Sequence, residues 1–183
     1  MTTAAIDPIT AKLDRMFSAT DSNGDGYVDW NDYQRIIDRY LSSYGIDRND
    51  RRAHALTATH QMYWMELLRH ANGGDRLDKE QYYRANRAVS VDTSRFNMVE
   101  GIPHAVFDIM DADGDNTISK AEFKQYLDVW GIAAPEAMDS FVEMDLDGDG
   151  AISRQEYIRA IREFFYSPDL NAAGSLIFGR LGG

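Results

Sequence analysis

The chain has 183 residues, enough for one domain or two small fused units, and is 44% hydrophobic with ten Tyr, eight Phe and three Trp to fill a core. A net charge of −11 and a pI near 4.7 argue against nucleic acid and anionic membrane surfaces as partners. With no cysteine there is neither a disulfide framework nor a thiolate metal site, and with no leader-like start or membrane-length apolar run the expectation is a soluble, cytoplasmic protein.

Ile9, Leu13, Met16 and Phe17 recur at helical spacing over about residues 8–20, with Pro8 at the start. A twelve-residue loop follows, with Asp21, Asn23 and Asp25 at positions one, three and five, Gly26 at six, Tyr27 at seven and Asp32 at twelve. The next helix runs to about Tyr44, with Tyr33, Ile36, Ile37, Tyr40 and Leu41 on its inner face and Gly45 as its stop. Residues 50–71 predict a long helix carrying Leu56, Met62, Met65, Leu67 and Leu68. It leads into His70–Gln81. Aligning Leu77 with Val28 puts His70 at position one, Arg76 at seven and Gln81 at twelve, so few ligand oxygens remain. This stretch reads either as a loop that kept its shape and lost its ion, or as an ordinary Gly-Gly turn between helices.

A helix over about 79–89 and a linker over 90–97, marked by Ser90, Asp92, Thr93 and Ser94, close the first half. The second half opens on a helix with Ile102, Val106, Phe107 and Met110. A loop follows with Asp111, Asp113 and Asp115, Thr117 at seven and Glu122 at twelve, where Asn116 replaces the turn glycine at modest conformational cost. Phe123, Tyr126, Leu127 and Trp130 mark the exiting helix, which stops near Gly131. Pro135 opens the next, with Met138, Phe141, Val142 and Met144 facing inward. After the last loop come Tyr157, Ile158, Ile161, Phe164 and Phe165 on a helix ended by Pro168. The tail carries Leu170, Leu176, Ile177, Phe178 and Leu181, too apolar for a free end. It is expected to fold back and seal a groove between the halves, or else to dock on a partner.

The last loop, Asp145–Glu156, has the strongest chemical signature. A calcium ion takes six to eight oxygens. Asp145, Asp147 and Asp149 supply carboxylates, Ala151 a backbone carbonyl, Ser153 a held water and Glu156 a bidentate carboxylate, while Gly150 makes the sharp turn. Asp111 and Asp145 are 34 residues apart, the length of one loop and two helices, so Ile118 can pair with Ile152, and Val28 with Leu77 in the first half. The expected fold is all-α: four EF-hands in two face-to-face pairs, over residues 1–90 and 91–183, packed as one globule.

Four hands, an ion-poor second hand, a long first half and an apolar tail together resemble the sarcoplasmic calcium-binding proteins and their calerythrin-like members. The resemblance implies a compact all-helical globule with ions in the first, third and fourth hands. Carried over by position, the ligands are Asp21, Asn23, Asp25, Tyr27 and Asp32; Asp111, Asp113, Asp115, Thr117 and Glu122; and Asp145, Asp147, Asp149, Ala151 and Glu156. Tyr27, Thr117 and Ala151 act through backbone carbonyls, and Asp29 reaches its ion through water. Three divalent ions add six charges and bring −11 to −5. Asp32, one methylene shorter than Glu, offers its ion a single oxygen, which favours a six-coordinate site open to Mg2+ as well as Ca2+.

Several of the eight Met residues (Met16, Met110 and Met144) fall where hands pack their own core, and the tail would fill the groove that a target helix needs. A monomeric calcium buffer or signal modulator is therefore expected, with a sensor that exposes an apolar surface to a protein target as the alternative. A further alternative is a carrier of a small apolar ligand. The hand layout also resembles the coelenterazine-binding proteins and calcium-triggered photoproteins, and His60, Tyr63, Trp64, Trp30, Trp130 and His104 are the candidate lining. The four histidines form no ligand set or triad, and no enzymatic activity is expected.

Overall fold

Asp7 sets the first helix: its carboxylate accepts the Thr10 amide, and Pro8 fills the first helical position, where its missing N–H costs nothing. The computed structural model describes residues 7–71, 74–92, 96–132 and 138–178; the nominated Thr93, Ser94, Pro135 and Leu181 lie outside them. In chain order the elements are α1 (Pro8–Thr20), β1 (Tyr27–Asp29), α2 (Trp30–Ser43), α3 (Arg51–His70), β2 (Arg76–Asp78) and α4 (Lys79–Val91). The second half continues with α5 (Phe96–Met110), β3 (Thr117–Ile118), α6 (Lys120–Val129), α7 (Met138–Met144), β4 (Ile152–Ser153), α8 (Arg154–Tyr166) and a 3₁₀ turn at Ala173–Leu176. Among the described residues no helix is long and apolar enough to cross a membrane.

The two short sheets are antiparallel, and their registers are those the spacing predicts. Val28 faces Leu77 in one, and Ile118 faces Ile152 in the other, with all four side chains fully buried. Each bridge thus ties two loops back to back and makes two hands one pair. The second loop earns its place here despite few ligand oxygens, because it gives the first loop its strand partner.

The pairs share one core. Leu13, Ile36, Leu56, Leu67, Phe107, Ile109, Phe123, Leu127 and Phe141 are all almost completely buried in a single contiguous cluster. α3 packs along α5, α2 against α6 and α1 against α8, so both halves contribute to every layer. Polar links cross the same boundary: Trp130 Nε1 donates to the Tyr40 hydroxyl at 2.8 Å, and the Tyr44 hydroxyl donates to the Glu122 carbonyl at 2.6 Å. The long α3 is thus a packing helix between halves.

Two expectations are corrected. Val142 points outward, 65% exposed, because on the short α7 the buried face is taken by Ser140, Phe141 and Met144. The linker is shorter than 90–97: α4 runs through Val91 and α5 begins at Phe96. Pro103 lies inside α5, where it forfeits one helical hydrogen bond and its ring is buried instead.

The tail folds back onto α8 and α7. Ile177 is fully buried, and the Phe178 ring sits edge-on to Trp130 at 4.8 Å and to Phe164 at 5.1 Å. Lys12 of α1 reaches the same place. Its buried ammonium donates to the carbonyls of Glu163 at 2.9 Å and Ser167 at 2.7 Å, and to the Ser175 hydroxyl at 3.3 Å, its full complement of three donors. These carbonyls end α8, where the helix dipole favours a cation. One side chain therefore joins the first helix, the last helix and the tail.

Burial lowers the Lys12 pKa to about 8, against the partial opposition of Glu163 and then Asp169. Between that value and the ordinary 10.5 the unfolded chain keeps a proton that the folded chain has released, so the stability contributed by this group rises with pH across that window. Urea unfolding of the calcium-saturated wild type and of Lys12→Met at about pH 7.5 and about pH 10 measures this. The stability difference, wild type minus variant, is expected to be larger at the higher pH; a smaller difference there would show that Lys12 keeps its charge.

Candidate metal centre

In each hand the last four loop residues also start the exiting helix. Position nine is the helix cap and position twelve is its third residue, so the two make a reciprocal capping box: Asp29 with Asp32, Asp78 with Gln81, Ser119 with Glu122, and Ser153 with Glu156. The local rule for starting a helix thus fixes the carboxylate that would close on an ion. It also explains Gln81, which keeps the acceptor oxygen the box needs while giving up the charge: the Asp78 amide donates to Gln81 Oε1 at 3.0 Å. Sequence reasoning missed this box, although its S/D-x-x-E/Q signal stands in the chain.

The position-twelve carboxylates are held from both ends. Glu122 Oε1 accepts the Ala112 amide at 2.8 Å, and Oε2 accepts the amide and hydroxyl of Ser119 at 2.8 and 2.7 Å. Glu156 repeats this with Leu146 at 2.8 Å and Ser153 at 2.7 Å to both donors. Burial pushes the Glu156 carboxyl up, but the donors from Ser153, Leu146 and Asp147 outweigh it and hold it below the usual range.

Position one is organised the same way in each loop. Asp21, Asp111 and Asp145 accept the position-six amides of Gly26, Asn116 and Gly150 at 3.0, 3.0 and 2.9 Å. Position six needs a left-handed backbone, and Asn116 adopts φ 67° where Gly150 has φ 90°, so the replaced glycine leaves the turn intact. Asn23, Asp113 and Asp147 accept the amides of Asp25, Asp115 and Asp149. Asp25, Asp115 and Asp149 in turn accept those of Tyr27, Thr117 and Ala151. Amide hydrogen bonds thus turn the loop side chains inward in series, leaving the backbone carbonyls of Tyr27, Thr117 and Ala151 at position seven free of that role.

Carboxylate oxygens of Asp111, Asp113 and Asp115 lie within 4.8 Å of one another, as do those of Asp145, Asp147 and Glu156. Asp111 Oδ1 is buried and accepts no hydrogen bond. A buried carboxylate oxygen without a hydrogen bond is a position that a hard cation would satisfy. The first loop gathers Asp21, Asn23, Asp25 and Asp32 through the same amides, but Asp32 Oδ1 also receives Arg35 Nη2 at 2.5 Å. In the second loop Arg76 stacks on the Tyr27 ring at 4.1 Å, and His70, which takes position one in place of an aspartate, lies beside Asp92.

A separate apolar cavity of about 120 Å³ lies between the halves, lined among others by Tyr33, His60, Tyr63, Trp130, Tyr157 and Phe178. Of the nominated lining residues, His60, Tyr63 and Trp130 reach it, and Trp30, Trp64 and His104 do not. His60 Nδ1 donates to the Leu56 carbonyl, 2.8 Å away, and burial lowers its pKa to about 4, so it is neutral.

The family model described as an EF-hand domain pair matches residues 104–162, and a second model of the same description matches residues 10–35. No curated protein sequence matches the chain. Among solved structures, a calcium-binding protein from Streptomyces coelicolor superposes with a TM-score of 0.73 at 24% identity, covering 86% of this chain and 97% of the other. A sarcoplasmic calcium-binding protein from amphioxus gives 0.71 at 19% identity, covering 94% and 97%. The calcium-loaded apo form of the coelenterazine-binding protein from Renilla muelleri gives 0.68 at 20% identity, covering 93% and 94%. The fold of most of the chain therefore recurs in all three.

Proposed function

We propose, on the premise that this chain belongs to the EF-hand family, that it binds about three calcium ions and serves as an intracellular calcium buffer or signal modulator. The observation that carries this reading is the shared construction of three loops, in which position-two and position-nine donors hold a position-twelve carboxylate over an inward-turned acidic set. The residues that would hold the ions are Asp21, Asn23, Asp25 and Asp32, then Asp111, Asp113, Asp115 and Glu122, then Asp145, Asp147, Asp149 and Glu156, with the carbonyls of Tyr27, Thr117 and Ala151. Each pair, residues 1–90 and 91–183, is one cation-binding unit, and the chain works as a monomer without a catalytic role. Mg2+ competes at the first loop, where Asp32 stands at position twelve.

Buffer is preferred to sensor because the tail lies in the groove that a target helix would need, with Phe178 wedged between Trp130 and Phe164. The cavity supports a second reading, a carrier of a small apolar ligand, and several structural relatives are photoproteins. Its volume weighs against a bulky ligand in this conformation, since pockets for drug-sized molecules measure roughly 300–1,000 Å³. Calorimetric titration of chelator-stripped protein tests the main reading. Three calcium ions per chain are expected, and retention of none at micromolar to millimolar calcium removes it.

A further inference from the structure

We propose that Arg35 sets how tightly the first loop binds and which divalent ion it prefers, by holding one oxygen of the position-twelve carboxylate as a built-in counter-cation. This deepens the reading of the first loop as a cation site and rests on it. Arg35 lies three residues beyond Asp32, one turn into α2. Its Nη2 donates to Asp32 Oδ1 at 2.5 Å and its Nε to Ser22 Oγ at 2.6 Å, so the guanidinium bridges loop positions two and twelve. The Asp32 side chain is 2% exposed and that of Arg35 41%, which places the contact inside the loop and the rest of the guanidinium at its rim.

The oxygens of Asp32 are unequally engaged. Oδ1 accepts from Arg35 and, at 3.1 Å each, from the amide and hydroxyl of Ser22, more donors than its two in-plane lone pairs serve well. Among the described residues Oδ2 accepts only the Asp29 amide, at 3.0 Å. At Glu122 and Glu156 the donors to both oxygens are backbone amides and serine hydroxyls, all neutral. The residues corresponding to Arg35 are Gln125 and Arg159, and Arg159 is turned along its helix to Glu163 at 2.9 Å. Among the described residues, then, the first loop differs from the other two by a guanidinium on its closing carboxylate.

Two consequences follow for an ion entering there. Either Arg35 is displaced, which weakens binding of any cation, or the ion takes Oδ2 alone. Ligation through one oxygen lowers the coordination number toward six, and that suits magnesium and penalises calcium. Removing Arg35 should therefore strengthen calcium binding at the first loop more than magnesium binding.

Terbium isolates this loop in the full chain. Trp30 is at its tenth position, whereas the third and fourth loops contain no aromatic residue, so tryptophan-sensitised terbium emission reports the first loop. With terbium affinity measured by direct titration in each protein, the calcium dissociation constant obtained from terbium displacement is expected to be about tenfold lower in Arg35→Gln than in wild type, with a smaller gain for magnesium. Arg48→Gln makes the same charge change at an exposed pair with Asp38 and should shift that constant by less than about twofold. Arg35→Met, which keeps the apolar stem, is expected to behave as Arg35→Gln does. Equal shifts in Arg35→Gln and Arg48→Gln, or weaker calcium binding in Arg35→Gln, overturn the proposal. Absence of sensitised emission from wild type and both Arg35 variants, with calorimetry still counting two calcium ions, overturns instead the reading of the first loop as a cation site.

Discussion

Removing divalent ions with excess chelator is expected to lower the thermal unfolding midpoint by on the order of 20 °C relative to the calcium-saturated protein. An ion at about a hundred times its dissociation constant stabilises the folded chain by about 2.7 kcal/mol, so three filled loops amount to about 8 kcal/mol. Whole domains have only about 5–15 kcal/mol in hand, so the ion-free chain should sit near the edge of folding. The residues give the reason. Asp111, Asp113 and Asp115, and again Asp145, Asp147 and Glu156, hold oxygens within 4.8 Å of one another, and Asp111 Oδ1 is buried without a donor. Like charges so placed repel, and amide hydrogen bonds offset only part of that. The second hand is not expected to add to the effect, because His70 and Gln81 stand at positions one and twelve in place of the carboxylates. Circular dichroism melts with calcium and with chelator decide it. A shift below about 5 °C would mean that ion binding and folding are nearly uncoupled.

What could be read from the residues and what could not divides along sequence distance. The loops, their exiting helices and the two bridges are local or periodic, so Val28 with Leu77 and Ile118 with Ile152 could be placed by counting. The left-handed turn at Asn116 was legible because Asn tolerates that backbone. Lys12 was not: a lysine beside an apolar stripe ordinarily reads as solvated, and only the arrival of Glu163, Ser167 and Ser175 makes its burial possible. Arg35 was overlooked for a different reason. Helical spacing puts it beside Asp32, but the same spacing in the fourth hand sends Arg159 to Glu163, so the outcome depends on which carboxylate lies in reach. Val142 failed because apolar character was taken for burial on a helix of seven residues with little inner face.

Gly174→Ala is expected to undock the tail and lower stability by about 3 kcal/mol. The 3₁₀ turn presses this glycine onto α8 so closely that an added Cβ would lie 1.9 Å from the Ala160 carbonyl oxygen and 2.7 Å from Glu163 Cβ. The first of these is helix backbone, which cannot swing aside as the end of a flexible side chain can, so the turn itself must lift. Lifting it withdraws Ile177 from the core, separates Phe178 from Trp130 and Phe164, and takes the Ser175 hydroxyl away from the Lys12 ammonium. The groove beneath is lined by Trp130, Phe164 and Tyr157, so its opening is readable as dye fluorescence and as a change in tryptophan emission. If the tail is the cover that keeps this protein from acting as a sensor, Gly174→Ala should bind an apolar dye in calcium where the wild type does not, and limited proteolysis should cut within residues 169–178 first. None of the proposed ligands belongs to the tail, so the calcium stoichiometry should hold. Wild-type protein that already binds the dye strongly in calcium, or a variant with unchanged melting, dye binding and proteolysis, would show that the tail does not close the groove, and the reading as a buffer would give way to that of a sensor.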